Sequence, residues 1–181
     1  MRNVSFKINL DYFQPCLFRL KTEAKELVSL SKAKNLFLME GMWTRFLPLF
    51  QLIRNEIKSG VIGDVYHINV NVGCANYDNP RISCKELGGG VILDMGVYAI
   101  DIISQVFENE EPVEVKAVGH LNEEGVDVDC SAVLSFSGNR TVTLTTHSLL
   151  QLPREAHICG TDGVIRVCLQ AINGQNNYDL I

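Results

Sequence analysis

Asp94, Tyr98 and Asp101 are the residues whose types and spacing best suit chemistry in this sequence. They stand at positions i, i+4 and i+7, so a helix would stack them on one face. A carboxylate one turn from a phenol can orient the phenol or respond to its charge, which suits the pair to moving a proton. The alternative interpretation is a solvated Asp101 and an ordinary half-buried aromatic at Tyr98.

A glycine run and a helix must position these side chains. Gly88–Gly90 precede the candidate helix and allow close backbone approach and unusual dihedral angles. The helix carries a second face of apolar residues at helical spacing, which predicts packing against a core. This apolar stripe consists of Ile92, Met95, Ala99, Ile102, Ile103 and Val106.

The rest of the chain has mostly helical patterns first and strand patterns afterwards. Apolar spacing predicts helices over residues 21–34 and 46–57, with a short strand over 36–39 between them. Alternation predicts a meander of strands near 66–72, 113–117, 126–136, 141–147, 155–159 and 163–168. This order predicts an α+β fold, with an open, mainly antiparallel sheet and helices on one face. The polar end, residues 170–181, is predicted to be a disordered tail.

Composition excludes several classes of function. The 181 residues are 46% hydrophobic and 20% charged, which is ordinary for one globular domain. A net charge of −5 and scattered basic residues argue against nucleic acid as a partner. No apolar run is long enough to span a membrane and the N-terminus is too polar for a secretory signal, so we expect a cytoplasmic protein. The six cysteines and four histidines lack the spacing of a metal site, so no metal is expected.

Several segments together resemble the glucose–fructose oxidoreductase/inositol dehydrogenase/rhizopine-catabolism (Gfo/Idh/MocA) family, and within it the branch that oxidises dihydrodiols. Their order and spacing fit the family over about residues 21–167. The segments are the run 88–101 and the stretches 37–46, 58–64, 79–81 and 160–163.

The resemblance implies an NADP-dependent oxidoreductase that oxidises a trans-dihydrodiol or an aldose hydroxyl by hydride transfer. It implies that Tyr98 is the acid/base residue and that Asp94 orients the substrate or modulates the tyrosine. It also implies that Trp43 and Arg45 lie near nicotinamide and substrate, and that Arg81 reaches the pocket. The alternatives are a packing anchor at Trp43, a surface salt bridge at Arg45 and a solvated loop arginine at Arg81.

Members of this family bind the dinucleotide on an N-terminal Rossmann domain with a Gly-x-Gly-x-x-Gly motif, which this sequence lacks. We therefore assign no residue to cofactor binding and expect the chain not to bind NADP by itself. The family's Glu-Lys-Pro, which carries its usual catalytic lysine, corresponds to residues 13–15. Gln14 takes the place of the lysine, and an amide does not transfer a proton near neutral pH.

The expected organisation has four parts. Residues 1–20 are an atypical N-terminal segment, 21–40 a remnant of the nucleotide-binding domain, 41–169 a substrate-binding and dimerisation domain, and 170–181 the tail. The resemblance implies a homodimer through the open sheet face. One face of the predicted strand 141–147 would suit either such a contact or exposure to solvent. It carries Thr141, Thr143, Thr145 and His147.

Three interpretations of function stay open. The first is part of an enzyme that acts on a small diol or sugar. The second is a cofactor-free dimerisation and interaction module, or an inactive pseudoenzyme. The third is a mis-joined chain with no stable fold of its own, which exposed apolar residues on the 21–34 helix would favour.

Overall fold

The computed structural model describes residues 21–169 and 178–181. The chain divides into two compact units, Met1–Met42 and Trp43–Ile181. Gln14 and the rest of the N-terminal segment 1–20 lie outside the described residues.

The described part of the first unit is helix α1 with the irregular chain that follows it. Helix α1 spans Lys21–Lys34, as the apolar spacing predicts. Leu36–Met39 was expected to be a strand and is not one. A strand is stable only in a ladder with another strand, and every described strand belongs to a sheet of the second unit. Phe37 is accordingly 79% exposed.

The second unit is built on a seven-stranded open sheet with strand order β2-β3-β4-β1-β5-β6-β7. Neighbouring strands are antiparallel except for β1 and β4, which run parallel. The strands are β1 Val65–Gly73, β2 Glu114–Leu121, β3 Asp127–Phe136, β4 Arg140–His147, β5 Glu155–Gly160, β6 Val164–Cys168 and β7 Tyr178–Leu180.

This arrangement confirms the α+β class and the mainly antiparallel sheet, but the meander is wrong. Strand β1 is inserted at the centre, between β4 and β5. Its apolar residues Ile68, Val70 and Val72 are at most 2% exposed, so the central position buries them on both sides. A parallel pair needs a long connection, which the chain between β1 and β4 supplies.

The helices of the second unit lie before β1 and between β1 and β2. A 3₁₀ turn at Trp43–Phe46 leads into α2, Pro48–Ser59, which has proline in its first turn and ends at Gly60 in the left-handed conformation. Helix α3, Pro80–Ser83, is a short element in a region predicted to be a loop. A π-helical turn, Ile92–Gly96, then leads directly into α4, Val97–Val106. Among the described residues, every helix is too short or too polar to cross a lipid bilayer.

The core lies between α2, α4 and one face of the sheet. Val70 faces Leu144 on one neighbouring strand and Ala156 on the other, so apolar side chains line up across the strands. The predicted stripe of the α4 helix packs on this face as expected. Its members Ala99, Ile102 and Ile103 are buried in the core, and Ile92, Met95 and Val106 pack against it.

The opposite face of the sheet is polar along its central strands β1 and β4. Asn69 Nδ2 donates a hydrogen bond to Thr143 Oγ1 at 2.6 Å, and His67 Nδ1 lies 2.9 Å from Thr141 Oγ1. These contacts join the side chains of the two central strands, β1 and β4. The predicted threonine face of β4 therefore lies at the centre of the open face.

The chain ends in a strand where the sequence predicts a disordered tail. Strand β7 pairs with β6, and the N–H and C=O of Ile181 bond to Val164 at 2.9 Å each. The alternating apolar signal of a three-residue strand is too short to stand out in a polar sequence. Residues 170–177, the rest of the predicted tail, lie outside the described residues.

One ion pair joins the chain after α4 to the β3–β4 turn. Ser137 Oγ donates to Glu110 Oε1 at 2.6 Å, and Arg140 donates to Glu110 Oε2. The Arg140 guanidinium also lies 4.8 Å above the Phe107 ring. The hydrogen bond from Ser137 is the largest cause that holds the pKa of Glu110 below its ordinary value of 4.5, and the hydrogen bond from Arg140 is the next largest.

This lowered pKa predicts the pH dependence of a Glu110→Gln variant. A carboxyl whose pKa is lower in the folded state stabilises the fold above its ordinary pKa, and this contribution is lost as the pH falls through the folded value. We expect E110Q to melt below the wild-type temperature at neutral pH, and the difference to shrink below pH 4.5. Thermal melts of both proteins across that range measure this; a constant difference would contradict it.

Candidate site at the start of the α4 helix

Tyr98 and Trp43 form the first contact of the site. The Trp43 indole Nε1 donates a hydrogen bond to the Tyr98 hydroxyl at 3.2 Å. The two rings meet edge to face, with centroids 6.3 Å apart and an angle of 73° between their planes. Both residues are half-buried. The indole is therefore a fixed donor to the phenol oxygen, the atom that a proton transfer would use.

Asp101 forms the second group, one turn further along α4. Its carboxylate is buried and accepts hydrogen bonds from Arg45 Nε at 2.5 Å, Gln105 Nε2 at 2.8 Å and Thr44 Oγ1 at 3.3 Å. The interpretation of Asp101 as solvated is wrong, because these donors replace water around its charge. Arg45 does form a salt bridge, as its alternative interpretation held, and its partner is this buried carboxylate.

Arg81 and Asp94 form the third group. The Arg81 guanidinium pairs with the Asp94 carboxylate, whose side chain is only 11% exposed while the arginine is 45% exposed. Asn79 caps helix α3 by accepting from the Arg81 N–H at 3.1 Å, which helps to place the arginine. Arg81 is therefore solvent-exposed and also paired, and it stands in a four-residue helix.

A π-helical turn holds Asp94, whereas Tyr98 and Asp101 stand in the regular helix α4. Residues Ile92–Gly96 wind more widely than an α-helix, which shifts the angular position of Asp94 relative to the residues of α4. Asp127 stabilises this start by accepting from the Ile92 N–H at 2.8 Å. Gly90, at a φ of 137°, makes room for that carboxylate, since a Cβ there would lie 2.3 Å from Asp127 Oδ1.

The five predicted site residues thus all take part in contacts with the helical stretch Ile92–Val106. Trp43 and Arg45 come from the 3₁₀ turn and meet α4, while Arg81 comes from α3 and meets the π turn. Sequence reasoning missed the support given by Asp101, Thr44 and Gln105, although the i+4 spacing of Asp101 and Gln105 was a usable signal.

Two further observations limit the chemistry. A surface cleft of about 440 Å³ runs along α2 and α4 and is lined by Arg45, Arg54 and Lys58, but not by Tyr98 or Asp94. In the part of the chain that the structure describes, no group of three or more His, Cys, Asp or Glu side chains is placed to hold a metal ion. The polar side chains of the site are hydrogen-bond donors and acceptors.

Comparison with known proteins gives the chain's relatives. Residues 50–166 match the GFO/IDH/MocA C-terminal domain. A trans-1,2-dihydrobenzene-1,2-diol dehydrogenase from Xenopus tropicalis is 41% identical over 145 residues, which are 80% of this chain and 44% of that enzyme. The chain therefore spans less than half the length of the curated relatives that it matches.

Solved structures share the fold at low sequence identity. An aldose-aldose oxidoreductase from Caulobacter crescentus, complexed with glycerol, superposes with a TM-score of 0.78 at 18% identity, covering 88% of this chain and 49% of that one. A 3-ketoreductase from Actinomadura kijaniata in complex with NADP and TDP-benzene gives a TM-score of 0.71 at 19% identity, covering 88% and 54%. Both matches show that the fold is shared over more of the chain than residues 50–166.

Proposed function

Because the chain belongs to the GFO/IDH/MocA family, we propose that it forms the substrate side of an NADP-dependent oxidoreductase that oxidises a trans-dihydrodiol or an aldose hydroxyl. The observation that carries the proposal is the hydrogen bond from the Trp43 indole to the Tyr98 hydroxyl, 3.2 Å long, together with the ion pair of Asp94 and Arg81 earlier on the same helical stretch. The likeness to a dihydrodiol dehydrogenase over 80% of this chain supports the same reaction class.

Tyr98 would accept the proton that leaves the substrate hydroxyl. The indole N–H points at the same oxygen, so it stabilises the phenolate that forms more than it stabilises the neutral phenol. Asp94 and Arg81 would orient the second hydroxyl of the substrate, since a carboxylate accepts and a guanidinium donates. Trp43 and Arg45 would border the substrate on the side of the 3₁₀ turn.

The residues of this chain do not fit the dinucleotide itself. Its pyrophosphate needs a glycine-rich turn between a strand and a helix, and the sequence contains no Gly-x-Gly-x-x-Gly. We therefore assign NADP to a Rossmann domain and the substrate hydroxyl to this chain; the ketoreductase that shares its fold was solved in complex with NADP. A chain that acts without such a domain would be the cofactor-free interaction module or the inactive pseudoenzyme of the alternative interpretation.

A chimera tests the proposal. The N-terminal half of the Xenopus tropicalis relative would be joined in front of Trp43, and NADPH formation measured with trans-1,2-dihydrobenzene-1,2-diol and with an aldose. We expect oxidation of one of the two substrates. A folded chimera that binds NADPH and oxidises neither would contradict the proposal.

The open face of the sheet favours homodimerisation as a second role. Its central strands β1 and β4 place only threonine, asparagine and histidine side chains there, and interface centres are depleted of charge. Arg166, nearer the edge, is paired with Glu155 at 2.7 Å. This distribution of charge fits a contact with the same face of a second copy.

A charge placed at the centre of this face is expected to separate the dimer. Thr145→Lys would place an unpaired ammonium in the contact, whereas Asn55→Lys adds the same charge on the exposed side of α2. Sedimentation should show a dimer for the wild type and N55K and a monomer for T145K. A monomeric wild type, or a dimeric T145K, would contradict the second role.

A further inference from the structure

We propose that Asp101 is a positioning residue, whose carboxylate holds the Trp43 indole against the Tyr98 hydroxyl. The inference rests on the proposed function only for the catalytic purpose of the contact between Trp43 and Tyr98. The contact itself lies within this chain. Asp101 touches neither ring through the hydrogen bonds described above, and it acts through the 3₁₀ turn that carries Trp43.

The Asp101 carboxylate is buried. Its side chain is 4% exposed, so its charge is stable only where donors surround it. Three side chains supply them: Arg45, Thr44 and Gln105. A charge held this way fixes the geometry of its donors, because each donor that moved away would leave the carboxylate less compensated.

The donors to Asp101 come from the 3₁₀ turn and from α4 itself. Thr44 and Arg45 are the two residues after Trp43 in the 3₁₀ turn, while Gln105 and Asp101 stand one turn apart on α4. The carboxylate thus fastens two consecutive residues of the turn to the helix that carries Tyr98. Asp101 stands three positions after Tyr98, so both lie on the side of α4 that meets the turn.

Without Asp101, the 3₁₀ turn would be bound to α4 by weaker hydrogen bonds. Arg45 is 44% exposed, and its hydrogen bond to Ser104 Oγ is 3.4 Å long. An arginine so exposed is held weakly by a long contact with a neutral hydroxyl. The placement of the indole within 3.2 Å of the phenol oxygen therefore depends on the carboxylate.

Fluorescence tests this directly, because Trp43 is the single tryptophan of the chain. As a single substitution, Tyr98→Phe removes the hydrogen-bond acceptor of the indole and should shift the Trp43 emission relative to the wild type. Asp101→Ala should shift the emission to the red and raise its quenching by acrylamide. In the double variant, Y98F should add nothing to D101A, because the indole has already left the phenol.

Additive shifts in this cycle would overturn the proposal, since the two residues would then act on Trp43 independently. Asp101→Asn keeps the size and an acceptor oxygen but loses the ion pair, so it should give a smaller red shift than D101A. If D101A does not fold, D101N decides, and an emission equal to that of the wild type overturns the proposal.

Two controls separate positioning from general loosening of the fold. Ser104→Ala removes the long contact of Arg45 and leaves the carboxylate in place, and E110Q breaks an ion pair elsewhere in the second unit. Both should keep the wild-type emission. The fluorescence measurement needs neither NADP nor substrate. An inactive chimera would therefore contradict the proposed function but not the role of Asp101, whereas unchanged fluorescence would contradict the role of Asp101 but not the proposed function.

Discussion

Replacing Gly160 with alanine is expected to destabilise the second unit by about 3 kcal/mol or more, the upper part of the range for overpacking. A Cβ on Gly160 would lie 2.0 Å from the carbonyl oxygen of Ile62 and 2.9 Å from its carbonyl carbon. Backbone atoms have no rotamer to change, so the clash must move the chain itself.

The surroundings of Gly160 leave little room for that movement. The Ile62 carbonyl accepts from the Asp162 N–H at 3.0 Å, and the Gly160 N–H donates to the Gly163 carbonyl at 2.9 Å. Ile62 is also fully buried in the core. A shift of either segment would break these hydrogen bonds and open the packing around Ile62.

Gly60→Ala is the matched control for this substitution. Gly60 has a φ of +76° and no atom within 4 Å of its ideal Cβ, so its alanine variant carries only the left-handed backbone cost of about 1 kcal/mol. Urea unfolding of the wild type, G60A and G160A measures both. Equal destabilisation of the two variants would contradict the steric explanation.

Replacing Tyr98 with phenylalanine in the chimera is expected to lower kcat by about 100-fold or more, the usual range for the loss of a general acid or base. Phenylalanine keeps the ring and its edge-to-face contact with Trp43 but lacks the oxygen that would take the substrate proton. The fall should therefore be in kcat rather than in KM.

Tyr66→Phe controls for the loss of a tyrosine hydroxyl as such. Tyr66 is 46% exposed on β1 and takes part in none of the hydrogen bonds described for the site. NADPH formation by the Y66F chimera should equal that of the unaltered chimera. If Y98F keeps more than a tenth of the activity, Tyr98 is not the proton acceptor, while the assignment of the substrate class would be unaffected.

Local patterns predicted the elements of this fold well, because each needs only its own apolar period. The stripe from Ile92 to Val106 and the alternation in β3 and β4 depend on residues close in sequence. The position of β1 depends on residues far away in sequence, and alternation does not say which strand is the neighbour. The short strand expected at Leu36–Met39 failed for the same reason, since an apolar run does not supply its own partner.

The candidate site was predictable in its types of residue and less so in its contacts. Regular helical spacing placed Asp94, Tyr98 and Asp101 on one face, and the π turn before α4 changed that angle without a sequence signal that spacing rules detect. The partner of Asp94 comes from α3, 13 residues earlier. Such a contact depends on the path of a loop, which residue periodicity does not describe.

The parallel pairing of β1 with β4 also sets an order of events in folding. Asn69 and Thr143, which face each other across this pair, are 74 residues apart in the sequence, whereas the β3–β4 hairpin closes over a few residues. Loop closure becomes slower with distance along the chain, so the hairpin can form early and the middle of the sheet is completed late. On the ribosome, β1 must wait with its apolar side chains uncovered until β4 has been synthesised, and this interval is when the nascent chain is most exposed to aggregation.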